Sequence, residues 1–131
     1  MATLQDFDWV KARSACSPFG VFTKLRVQLE SDVAARNAVS EERKESNMVS
    51  FFLDSAPDRL VVRREGNNVS ASVEFRWTQT GIAVRDDHSA VILDGILTLN
   101  DDAECRLKVG KDELAFWQFR RRALEDLFFN P

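Results

Sequence analysis

The chain has 131 residues, 44% apolar and 30% charged, with 18 Lys and Arg against 21 Asp and Glu and a net charge of −3. This is the length of one common domain with its own core, and the composition excludes a disordered chain. Uncharged runs fall far short of a bilayer span, one His and two Cys cannot form a paired zinc site, and no GxGxxG, GxxxxGK(S/T) or GxSxG occurs.

Met1 to Val10 carries Asp6 and Asp8 and lacks the basic start and apolar run of a secretory leader. The expectation is therefore a cytoplasmic protein in which Cys16 and Cys105 are free thiols, with a single bridge between them as the alternative. Phe7, Trp9 and Val10 make residues 1–17 an arm that docks on the body.

Ser17-Pro18 is a helix start: the serine caps free N–H groups, and proline suits the first helical position, where its missing donor costs nothing. Phe22, Leu25, Leu29 and Val33 then recur at helical spacing, so a long helix is expected from about Phe19 to Ala38. Residues 40–47, SEERKESN, read as its frayed end and a polar linker, and the long helix with this linker is placed at 18–46.

From Met48 the period changes to two. Segments near 48–53, 59–65, 69–77, 82–86, 90–99 and 103–109 are rich in Val, Ile, Leu and Phe, and short runs of turn residues separate them. Connectors that short join antiparallel neighbours, so residues 48–109 are expected to form a meander of about six strands. Its inner face takes Leu60, Val62, Val69, Ala71, Val73, Phe75, Trp77, Ile82, Val84, Cys105 and Leu107. The 90–99 segment is apolar on both faces, which implies a central strand covered on its second side.

Asp112 is placed to cap a closing helix over 112–129, with Glu113 in its first turn. Leu114, Phe116, Trp117, Phe119, Ala123, Leu124, Leu127 and Phe128 share one broad arc at about 100° per residue, whereas Phe129 falls outside it. The order is an α+β domain: long helix, antiparallel sheet, and a closing helix packed on the same sheet. At the level of architecture this resembles helix-grip folds, which hold ligands between helix and sheet, an analogy that does not itself assign function.

Four constellations bear on function. Asp32 and Arg36 project into the apolar arc of the long helix, four residues apart and able to pair, while Arg120 projects into that of the closing helix. Meeting over one sheet, they would form an anion-binding site; otherwise they are helix-border residues with stems on apolar surface. The outer sheet face carries Arg59, Arg63, Arg76, Arg85, Arg106 and Lys108 against Glu65, Glu74 and Glu104, but base-stacking aromatics fall on the opposite face, which disfavours nucleic acid. His88, beside Asp86 and Asp87, reads as a solvated turn residue and not a catalytic base. Surplus apolar surface at Trp117, Phe128 and Phe129 points to an interface.

The expected function is a non-enzymatic binding or assembly module working through its C-terminal helix and sheet surface as a homo-oligomer or with a protein partner, away from membranes and without metal or cofactor. The alternative is a binder of a small anionic or amphipathic ligand at Asp32, Arg36 and Arg120, in a cavity between helices and sheet.

Overall fold

The computed structural model describes residues 7–43, 49–66 and 69–129. Within them the chain forms α1 (Trp9–Ala15), α2 (Pro18–Arg43), β1 (Ser50–Ser55), β2 (Arg59–Gly66), β3 (Val69–Trp77), β4 (Gly81–Asp86), β5 (Val91–Leu99), β6 (Cys105–Val109), β7 (Asp112–Leu114) and α3 (Phe116–Phe129). All seven strands lie in one sheet in chain order, each antiparallel to the next. The helices α2 and α3 cover one face, α2 over β1 to β4 and α3 over β3 and β5 to β7. This is the expected α+β arrangement.

Several expectations need correction. The arm contains a helix, α1, which Asp8 caps by accepting from the Lys11 amide, and Trp9 and Val10 remain exposed. α1 buries none of its own residues, so what ties this segment down is Cys16, 2% exposed and bridged to Cys105. Neither cysteine is a free thiol.

Ser17 and Pro18 do open α2, the Ser17 hydroxyl accepting from the Gly20 amide. The helix then runs past Ala38 to Arg43, because Ser40, Glu41, Glu42 and Arg43 contain no breaker and include good helix formers. Residues 44–47 of the expected linker lie outside the described residues.

The sheet has a seventh strand where a helix start was expected. Gly110, at φ +60°, and Lys111 make a two-residue hairpin loop, so Asp112 pairs with Val109 and Leu114 with Leu107. α3 begins after it, and the Gln118 side chain accepts from the Ala115 amide to satisfy one of the free donors there. Asp112 instead meets Arg122 at 3.0 Å.

β5 is central, but its second side is open: Ile92 and Ile96 are exposed. On the inner side Gly95 is buried, and a Cβ there would stand 2.7 Å from the Phe119 ring and 3.0 Å from Leu107. That glycine lets α3 sit close to the sheet.

The core is the inner sheet face and the two helix stripes. Leu60, Val62, Val73, Phe75, Ile82, Val84 and Leu107 are all buried there as expected, beneath Leu25, Leu29, Phe119 and Leu124. Ala71 and Cys105 are half-buried, the side chain of Val69 lies outside the described residues, and Trp77, expected on the buried face, is 39% exposed where β3 ends. Two turns share one design. Asp86 accepts from the amides of His88 and Ala90, and Asn100 from those of Asp102 and Glu104, while the fourth residue of each turn, Ser89 or Ala103, takes a positive φ. His88 therefore sits on a solvated loop.

The free edge at β1 is capped at Phe51 by a side chain. Asn37 on α2 donates to the Phe51 carbonyl and accepts from the Phe51 amide, both at 2.9 Å, as a neighbouring strand would. Asn37→Leu leaves both backbone groups without these partners and should lower stability by about 1–3 kcal/mol. A urea titration reads it as a lower midpoint at unchanged slope.

Candidate functional site

The residues singled out for function converge where α2 crosses α3. An open groove of about 370 Å³ runs between the two helices, lined by Ala35, Val39, Leu124, Phe128 and the aromatic pair Trp117 and Phe129, with charged groups at its sides. Its lining comes wholly from α2 and α3, so this concavity lies between the helices and not between helices and sheet.

Asp32, Arg36 and Arg120 all line this groove, but they pair differently from the expectation. Asp32 bonds to Arg120 across the helices at 2.6 Å rather than to Arg36 along its own helix. Arg36, 8% exposed, turns inward: its Nε donates to the Phe128 carbonyl at 2.9 Å, and a second nitrogen donates to Ser40. Its guanidinium is stacked between two rings, 4.9 Å from the centroid of Phe51 and 5.0 Å from that of Phe129. A delocalised, weakly hydrated cation suits such a position. Arg36 thereby binds one of the last carbonyls of α3, where positive charge also complements the helix dipole.

The three interface candidates separate by burial. Phe128 is buried and meets Phe51 edge to face at 4.9 Å, so it belongs to the core. Trp117 and Phe129 are 57% and 56% exposed. Phe129 is nonetheless held in place, with Arg36 under its face and Phe128 against its edge.

Two neighbours were not singled out from the sequence. Arg121 and Glu125 lie on the same face of α3 as Trp117 and Phe129 and pair with each other at 2.9 Å. The signal was available as a four-residue step, 117, 121, 125, 129. A second concavity of about 330 Å³, lined by Leu114, Gln118 and Arg122, flanks these residues on their other side.

The basic sheet face is laced with ion pairs. Arg59 and Arg76 meet Glu74, Arg63 meets Asp54 and Glu65, and Arg106 meets Glu104 and Glu113. Arg63 also lies over the Phe52 ring, and its hydrogen bond to Asp54 raises the guanidinium pKa above its ordinary value. Arg85 donates to the Ser89 carbonyl. Much of the outward positive charge is thus compensated within the sheet.

Among the described residues, no cluster of His, Cys, Asp and Glu is arranged to hold a metal ion, and no helix is long and apolar enough to cross a membrane. No family model, curated protein or solved structure matches this chain.

Proposed function

We propose that this protein is a non-enzymatic binding and assembly module whose working surface is the groove between α2 and α3. The observation that carries this reading is the pair of large exposed aromatics, Trp117 and Phe129, bracketing a mainly apolar groove. Apolar surface of this kind, rimmed by charges, characterises sites that take up an apolar partner surface. A small anion fits less well as the ligand. Asp32 already serves Arg120, and Arg36 is engaged by the Phe128 carbonyl and two rings. The Cys16–Cys105 bridge supports a working place where thiols oxidise, in preference to the reducing cytoplasm expected from the sequence.

Titration with an uncharged apolar dye such as Nile red, at protein concentrations low enough to disfavour self-association, tests the surface. Ala35 is exposed on the groove wall, so Ala35→Arg places a long charged side chain there without touching the core. Dye affinity should fall about tenfold or more, which corresponds to about 1.4 kcal/mol. Equal affinity in the two proteins would remove the groove as the binding surface.

A further inference from the structure

The outer stripe of α3 is complementary to itself. Trp117, Arg121, Glu125 and Phe129 follow one another at four-residue steps, all exposed, along about 18 Å of helix. In one direction the stripe reads aromatic, basic, acidic, aromatic; reversed, it reads aromatic, acidic, basic, aromatic. Two copies laid antiparallel about a two-fold axis passing between Arg121 and Glu125 would therefore set Trp117 against the partner's Phe129 and Arg121 against the partner's Glu125, each contact occurring twice.

The relief of the surface agrees with this. Residues four apart form one of the ridge directions by which helices interdigitate. Here the ridge stands between two concavities, the α2–α3 groove and the one beside Leu114, Gln118 and Arg122, and both share Trp117, Arg121 and Glu125 in their walls. Each copy thus has a ridge to offer and a groove beside it. The Phe129 ring is already fixed by Arg36, so little freedom remains to be lost on contact.

We infer that the occupant of the groove surface is a second copy of this chain, docked through an antiparallel α3–α3 contact with crossed Arg121–Glu125 pairs. This rests on the proposed binding surface and names its partner.

The charges supply a test that separates a contact between chains from the Arg121–Glu125 pair within one helix. Arg121→Glu places glutamate against glutamate in a pair of identical copies, and Glu125→Arg places arginine against arginine. Each should weaken self-association about tenfold or more in sedimentation or light scattering across a dilution series. An equimolar mixture of the two variants should associate with affinity near that of the wild type. The crossed pairs are then restored between chains, although neither chain has its internal pair. The double variant Arg121→Glu/Glu125→Arg should also self-associate like the wild type. Both altered positions, Arg121 and Glu125, are exposed, and matching circular dichroism melts verify that the variants are folded. A mixture no tighter than either variant alone, or a wild type monomeric throughout the series, overturns the inference. If that monomer still binds the dye in a manner sensitive to Ala35→Arg, the groove stands as the binding surface and only its occupant is wrong.

Discussion

Phe75→Ala is expected to destabilise the protein by about 3–5 kcal/mol. The ring is fully buried in the middle of β3, opposite Leu60 on β2 and Val84 on β4, and both helices pack over that face. Truncation therefore loses the transfer of the ring from water and leaves a cavity that the flanking strands, fixed by their hydrogen bonds, cannot collapse to fill. Urea unfolding should show the loss as a lower midpoint. A change under about 1 kcal/mol would mean that the ring does not occupy the core.

Breaking the Cys16–Cys105 bridge is expected to cost about 4–5 kcal/mol, because the link closes 89 residues of chain in the unfolded state. Urea unfolding with and without reductant, and of the Cys16→Ser/Cys105→Ser variant, measures it. The structural effect should be local. Since α1 has no buried residue of its own, proteolysis should reach the segment before Ser17 first, while the sheet keeps its protection. A loss under about 1 kcal/mol would mean that the unfolded chain is already confined without the bridge.

The sheet was legible because its signal is repetitive. Alternation in Val73, Phe75, Ile82, Val84 and Leu107, with short polar connectors, leaves only an antiparallel meander, and those residues are buried as read. β7 was hidden because three residues are too few to show a period, and its Asp112 is chemically as good a helix cap as a hairpin residue. The bridge was one of two open readings, since two cysteines 89 residues apart carry no sign of proximity.

At the site, helical projection found that Asp32, Arg36 and Arg120 occupy apolar arcs, but it could not choose among partners. That choice depends on where α3 crosses α2. The crossing gives Asp32 to Arg120 and sends Arg36 to the Phe128 carbonyl and the Phe51 ring, a strand residue that no property of the helix predicts. Asn37 was illegible for the same reason: an amide on an exposed-looking helix position becomes informative only once it faces the edge of β1.

The order of the strands bears on how the chain acquires its shape. Every strand pairs with its immediate successor, so each hairpin closes a short loop and loses little entropy in doing so. The inner face is different. Phe119, Ala123, Leu124 and Leu127 fill it from α3, which follows all seven strands in the chain. During synthesis the strands emerge first, and a half-made sheet must wait with Phe75, Ile82 and Leu107 partly unprotected until the last helix arrives. The interval between β7 leaving the ribosome and α3 docking is therefore the point of greatest vulnerability to misassociation, and substitutions that slow α3 should lower yield more than they lower the stability of the finished protein.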